Sequence, residues 1–190
     1  MTWIEVIRPA AASGKLKQAY DRVKGPGGHI DNILLAHSLR PHTLDGHLAL
    51  YKSVLHHFGN TTERWILETI GVAVSLLNGC TYCVAHHHAG LERLIGDAEQ
   101  ANEIRAALEA GTPDRALEGK ALAAVLYAAR LTRTPRDIRE HDITALREAG
   151  FTDGEILEIN QVAAYFAYAN RTVLGLGVTL EGEPLGQHPG

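Results

Sequence analysis

The chain has 190 residues, of which 45% are hydrophobic and 21% are charged, and its formal net charge is −4. This balance is typical of one globular domain and not of a disordered chain. The net negative charge and the lack of a basic cluster argue against nucleic acid or an anionic membrane as a partner.

Residues 1–8 lack the continuous apolar run of a secretory signal. The longest apolar run, at residues 70–77, is too short to span a bilayer. We therefore expect a cytoplasmic protein. Because that compartment keeps thiols reduced, a cysteine pair there is more often redox-active or metal-binding than structural.

Helical patterns dominate the chain, and the two-residue alternation of strands is nearly absent. Apolar spacing and chain breakers predict helices at about residues 15–23, 31–39, 41–58, 62–77, 80–94, 97–108, 111–131, 139–149 and 153–173. The sequence thus predicts an all-α, single-domain bundle of about eight or nine helices over residues 1–180. A flexible polar tail is expected at 181–190.

The fourth predicted helix is apolar on nearly all sides. From Trp65 to Leu77 its only charged residue is Glu68. A carboxylate is costly to bury in such a helix unless it is paired or protonated. Glu68 is therefore a candidate general base, with a solvated helix carboxylate as the alternative interpretation.

Both cysteines of the chain, Cys80 and Cys83, lie in the first turn of the fifth predicted helix. Unpaired N–H groups and the positive end of the helix dipole stabilise a thiolate there, and pairs with this spacing commonly have lowered pKa values. A thiolate that attacks a peroxide becomes a sulfenic acid, which condenses with a neighbouring thiol to a disulfide. The spacing favours a redox-active pair, with incidental placement on a helix surface as the alternative.

Three consecutive histidines follow the cysteines. At about 100° per residue, His87 lies about 20° round the helix from Cys80, whereas His86 lies about 120° and His88 about 80° away. His87 is therefore predicted to share the cysteine face, where it can accept a thiol proton or hold a water that does. A structural histidine is the alternative. We expect His86 and His88 to point away, and the remaining histidines to be structural or surface residues.

Metal binding is a further alternative, since Cys80, Cys83, His87 and a carboxylate could complete a zinc tetrahedron. Structural zinc normally takes two ligand pairs from separate segments, and no second pair of suitable spacing is obvious. Covalent haem needs a histidine directly after the second cysteine, where this chain has Val84. We therefore expect neither a metal nor a cofactor.

Glu68, Cys80, Cys83 and His87 together resemble the motif of the alkylhydroperoxidase D-like (AhpD-like) branch of the carboxymuconolactone decarboxylase superfamily, especially its peroxidase-related members. Similar segments lie at residues 37–41, 146–151 and 164–175, so the resemblance covers about residues 5–180. In the family's best-studied peroxidase type a histidine stands where this chain has Tyr82.

The resemblance implies an AhpD-like helical fold that assembles as a dimer, trimer or hexamer, and peroxidase chemistry without a bound cofactor. It implies that Cys83 attacks the peroxide, that Cys80 resolves the product, and that Glu68 and His87 deprotonate Cys83 through a bridging water. The electron donor would be a thiol or dithiol, such as a lipoylated or thioredoxin-like protein.

The leading prediction is a thiol-dependent peroxidase that reduces small-molecule peroxides in antioxidant defence. One alternative is a non-enzymatic sensor that uses the same disulfide as a switch. Another is a decarboxylase-type enzyme on the same scaffold, although the family's decarboxylases lack the cysteine pair. We expect a homo-oligomer in which some of the broad apolar helix faces are buried between subunits. Examples are the face with Leu122, Val125, Leu126 and Ala129 and the face with Val162, Ala163 and Phe166.

Overall fold

A computed structural model describes residues 2–185, and within them it contains nine α-helices and no strand. The helices are α1 (Gly14–Val23), α2 (Asn32–Leu35), α3 (Pro41–Tyr51), α4 (Arg64–Leu77), α5 (Thr81–Ile95), α6 (Ala98–Glu109), α7 (Gly119–Arg133), α8 (Glu140–Glu148) and α9 (Asp153–Leu176). The prediction of an all-α fold with eight or nine helices is confirmed. None of these helices combines the length and the apolar character that crossing a bilayer requires.

Three predicted helices differ from those observed. Helix α2 ends at Leu35 instead of residue 39, and α3 passes at Tyr51 into one π-helical turn, Lys52–His56. The predicted seventh helix begins late, because Pro113–Arg115 form only a short 3₁₀ turn. Gly119 then has a φ of +50°, which a continuous right-handed helix does not allow.

Helix α4 forms the centre of the bundle and packs against α5, α7 and α9. All its residues from Ile66 to Ser75 are buried. A helix that is apolar on every side is stable only when neighbouring helices surround it, which explains this position. Glu68 is thereby carried into the interior, where only 3% of its surface is exposed.

The turn after α4 positions the cysteine pair. Gly79 has a φ of +71°, a left-handed conformation that favours glycine. Its N–H donates to the Leu76 carbonyl at 3.1 Å, and the Cys80 N–H donates to the Ser75 carbonyl at 2.9 Å. This is a Schellman motif, which makes Cys80 the N-cap of α5. The cysteines therefore lie at the start of a helix, as predicted.

One of the two apolar faces named as candidates for a subunit contact lies inside the core of its own chain. Val162, Ala163 and Phe166 are at most 2% exposed, because α9 buries them in the core of its own chain. On the other face Val125 is also buried, whereas Leu126 is 52% exposed. A homo-oligomer stays a prediction.

The predicted flexible tail is partly held by the fold. The Glu181 carbonyl accepts a hydrogen bond from Asn32 Nδ2 at 3.2 Å, and the Glu183 carboxylate lies in the interior. These contacts run between residues about 150 positions apart, which a compositional argument does not reveal. Residues 186–190 of the predicted tail lie outside the described residues.

At Gly71, helix α4 packs directly against the Phe166 ring of α9. A Cβ added there would lie 2.4 Å from the ring of Phe166. We expect Gly71→Ala to lower the free energy of unfolding by about 1–3 kcal/mol, because the ring must move within a packed core. Urea denaturation measures this change.

Gly175→Ala is the matched control, since Gly175 lies in α9 and a Cβ there meets no atom within 4 Å. Its stability should be unchanged or slightly raised, because alanine favours a helix. Equal stability of the two variants would contradict the close packing of Phe166.

Candidate active site

A cavity of about 40 Å³ lies between α2, α3, α5 and α9. Helix α5 contributes Cys83, His86 and His87 to its wall, and most other lining side chains are apolar or aromatic. A space of this size admits about two or three water-sized molecules. The cavity is therefore suited to a very small substrate beside a thiol.

The two cysteines form a reduced pair. Their Sγ atoms lie 3.1 Å apart and share a hydrogen bond, and both thiols are free. A disulfide bond is about 2.05 Å long, so the sulfurs are in contact but not bonded. Cys83 lines the cavity, whereas Cys80 is fully buried.

The two thiols differ in the direction in which their surroundings shift the pKa. The hydrogen bond with Cys83 lowers the pKa of Cys80, against the effect of burial, and the N–H groups at the start of α5 act in the same direction. The hydrogen bond with Cys80 and burial together raise the pKa of Cys83 well above its usual value. The pair thus loses one proton readily and the second only with difficulty, so one thiolate is shared between the two sulfurs.

Glu68 and His87 form a second buried pair. His87 Nδ1 lies 2.7 Å from Glu68 Oε2, which joins α5 to α4. The ring of Phe166 packs edge-on against the His87 ring, with centroids 4.5 Å apart. A carboxylate at Nδ1 holds the proton on that nitrogen and leaves Nε2 to accept another. The structure therefore brings the four motif residues together as two contacting pairs, with Cys83 and His87 on the wall of one cavity.

The prediction that His86 points away is wrong. His86 lines the same cavity, is only 6% exposed, and packs against Tyr82 with ring centroids 4.7 Å apart. Helical angles alone mislead here, because they describe only α5. Residues of α2 and α3 line a cavity that reaches His86 as well as Cys83. His47 of α3 also lines the cavity, and burial lowers its pKa to about 3, so it is neutral at physiological pH.

Asn170 is a site residue to which the sequence analysis gave no role. It is fully buried, its Nδ2 donates to Ser75 Oγ at 3.1 Å, and its Oδ1 accepts from Asn78 at 2.9 Å. Hydrogen bonding from its side chain contributes to the lowered pKa of Cys80 and partly opposes the rise in the pKa of Cys83. The sequence does contain an indication of this burial. Asn170 follows Phe166 by four residues, so both lie on the same, buried face of α9.

Glu183 is hydrogen-bonded to Tyr82, one of the side chains that line the cavity. Tyr82, at the position where the resembled peroxidases carry a histidine, donates its hydroxyl hydrogen to Glu183 Oε1 at 2.6 Å. Burial, followed by the charge of Glu183, raises the pKa of Tyr82 well above its usual value. Tyr82 is therefore a neutral hydrogen-bond donor and takes no part in proton transfer near pH 7.

The side chains that converge as metal ligands do so around Glu183 and not around the two thiols. Among residues 2–185, the ligand atoms that converge are those of His29, Asp31 and Glu183, all within 4.8 Å of one another. Burial and the charge of Glu183 raise the pKa of Asp31 to about 6. The cysteine pair belongs to no such cluster in the described part of the chain, which speaks against a zinc tetrahedron built on it.

The sequence matches no protein-family model and no curated protein. Solved structures do resemble it. A peroxidase-related protein with an alkylhydroperoxidase AhpD core from Ralstonia eutropha JMP134 is 25% identical, with a TM-score of 0.80, and the match covers 94% of this chain and 91% of that one. A peroxidase-related protein from Silicibacter sp. TM1040 is 26% identical, with a TM-score of 0.79 and the same coverage.

A third similar structure is the debrominase Bmp8 in complex with 2,3,4-tribromopyrrole. It is 15% identical, with a TM-score of 0.71, over 96% of this chain and 95% of that one. At this identity the likeness concerns the fold alone, and it shows that the scaffold serves more than one activity.

These likenesses show that the chain has an all-α, AhpD-like fold, which the sequence resemblance predicted.

Proposed function

We propose that this protein is a thiol-dependent peroxidase that reduces small hydroperoxides through a Cys80–Cys83 dithiol/disulfide cycle. The observation that carries the proposal is a contacting dithiol with one sulfur on the wall of a small cavity that also exposes His87. The two structures described as peroxidase-related, at 25% and 26% identity, support the same class of activity.

The first step is attack by Cys83, because Cys83 is the cysteine that faces the cavity. When the proton left on the pair lies on Cys80, Cys83 is the thiolate. A sulfur–oxygen bond forms, the oxygen–oxygen bond of the peroxide breaks, and the leaving alkoxide takes a proton to become an alcohol. His87, held by Glu68 and protonated by the thiol through a water, supplies that proton.

The second step joins the two sulfurs. The Cys80 thiol attacks the sulfenic acid on Cys83, water leaves, and a disulfide forms. Closing the present 3.1 Å contact to a bond of about 2.05 Å needs little backbone movement. An external dithiol, which is oxidised in turn, then returns both cysteines to the thiol state.

Repeated turnover distinguishes this enzyme from a redox sensor. With hydrogen peroxide and dihydrolipoamide, the protein should consume many equivalents of peroxide, whereas a sensor consumes one. Without a donor, mass spectrometry should show the loss of two hydrogen atoms from an intramolecular disulfide. Free thiols that persist after mild peroxide treatment would contradict the proposal.

A further inference from the structure

A second cluster of ionisable side chains borders the cavity at Asp31 and takes no part in the thiol chemistry. His29 and Asp31 come from the segment before α2, and Glu183 follows α9, about 150 residues later in the chain. The ligand atoms of these three side chains lie within 4.8 Å of one another. The fold thus assembles an imidazole and two carboxylates from opposite ends of the chain.

The two carboxylates are removed from solvent. The Glu183 side chain is 0% exposed and that of Asp31 is 17% exposed. Two neighbouring buried carboxylates repel each other and need positive charge nearby. Two imidazole nitrogens face these carboxylates: His29 Nε2 lies 3.6 Å from Asp31 Oδ1, and His86 Nε2 lies 3.2 Å from Glu183 Oε1. A bound divalent cation would compensate the negative charge of both carboxylates.

His86 supplies an independent observation. It is 94% buried, and its Nε2 makes no hydrogen bond although it lies 3.2 Å from Glu183 Oε1. Nε2 of His29, 3.6 Å from Asp31 Oδ1, also makes none. Buried polar atoms normally have a partner, so two ring nitrogens directed at carboxylates without hydrogen bonds point to a missing ligand.

We propose that His29, Asp31 and Glu183 form a divalent transition-metal site, with His86 as the fourth ligand. Two imidazoles and two carboxylates suit Zn²⁺ and similar first-row ions better than Ca²⁺ or Mg²⁺, which prefer oxygen ligands. Ligand atoms of a tetrahedral zinc site lie about 3.3 Å apart, which is close to the 3.2 Å between His86 Nε2 and Glu183 Oε1. The ligand atoms of His29, Asp31 and Glu183, within 4.8 Å of one another, would move closer together on binding. The ion would tie the segment after α9 to the segment before α2.

Zinc binding is best measured in the full chain without an affinity tag and with both Cys80→Ser and Cys83→Ser, since thiolates also bind zinc. Calorimetry should show one equivalent of Zn²⁺ bound, and thermal stability should rise with Zn²⁺ concentration. Co²⁺ in its place should give visible absorption without a thiolate charge-transfer band. No binding in this double variant would overturn the proposal, whatever the peroxidase activity of the unmodified protein.

Ligand variants assign the site within that background. Asp31→Asn and Glu183→Gln should each weaken Zn²⁺ binding at least about tenfold. Glu181→Gln is the matched control, because it removes the same charge from an exposed side chain of the same segment, and its affinity should be unchanged. Equal affinities in all three variants would contradict the assignment.

A measurement on the unaltered ligands covers the case in which a variant fails to fold. Zn²⁺ added to the double cysteine variant should shift the imidazole resonances of His29 and His86 in a nuclear magnetic resonance spectrum. The resonances of His141, whose side chain is 68% exposed, should not move. Unchanged resonances of His29 and His86 would exclude the site.

Discussion

Cys83→Ser is expected to abolish peroxide turnover, and Cys80→Ser is expected to stop it after a single sulfenic acid has formed. Cys83 is the sulfur on the cavity wall, so its loss removes the nucleophile that a peroxide can reach. Cys80 is fully buried and reaches only Cys83, so its loss leaves the attack possible but removes the resolving thiol. The two variants should therefore fail at different steps.

Steady-state peroxide consumption and trapping of the sulfenic acid with dimedone separate these outcomes. Thr81→Ser serves as the control, because it is an exposed, conservative change in the same helical turn and should retain full turnover. The opposite result, a sulfenic acid in Cys83→Ser and none in Cys80→Ser, would assign the attack to Cys80. Cys83 is the thiol that a peroxide can reach, whereas Cys80 has the lowered pKa. The two variants therefore test which of these two properties determines the attacking sulfur.

Local sequence signals were sufficient for the features that depend on neighbouring residues. The apolar run around Glu68 predicted the helix observed as α4, and the break after that helix predicted that both cysteines lie at the start of α5. The spacing of Cys83 and His87 placed both on one helix face, and both line one cavity. In each case the determining contacts lie within about two helical turns.

Features that depend on distant segments were not predicted. Glu183 lies in a stretch that composition marks as a loose tail, yet it accepts a hydrogen bond from Tyr82, 101 residues earlier. His86 was expected to face away, because helical angles describe one helix and not the helices that cover it. The buried role of Asn170 likewise depends on contacts with Ser75 and Asn78 on another element.

Glu68→Gln is expected to lower peroxide turnover by about 10² to 10⁴-fold, the usual contribution of general-base assistance. The glutamine carbonyl can still accept from His87 Nδ1, which now lies 2.7 Å from Glu68 Oε2, so the packing around α4 should persist. What is lost is the negative charge beside the His87 ring, which takes up the Cys83 proton in the proposed relay. The lost step is therefore transfer of the Cys83 proton, and not peroxide access.

The pH dependence distinguishes this loss from a general structural defect. The pKa of Cys83 is already raised by its hydrogen bond with Cys80 and by burial, so its thiolate becomes more abundant as pH rises. Turnover by Glu68→Gln should consequently recover in part at higher pH, where hydroxide replaces the missing base. Glu92→Gln, an exposed change on α5, should keep the parent activity and pH profile. If Glu68→Gln matches Glu92→Gln in turnover and in thiolate titration by ultraviolet absorbance, no relay operates, and the start of α5 alone activates the thiols.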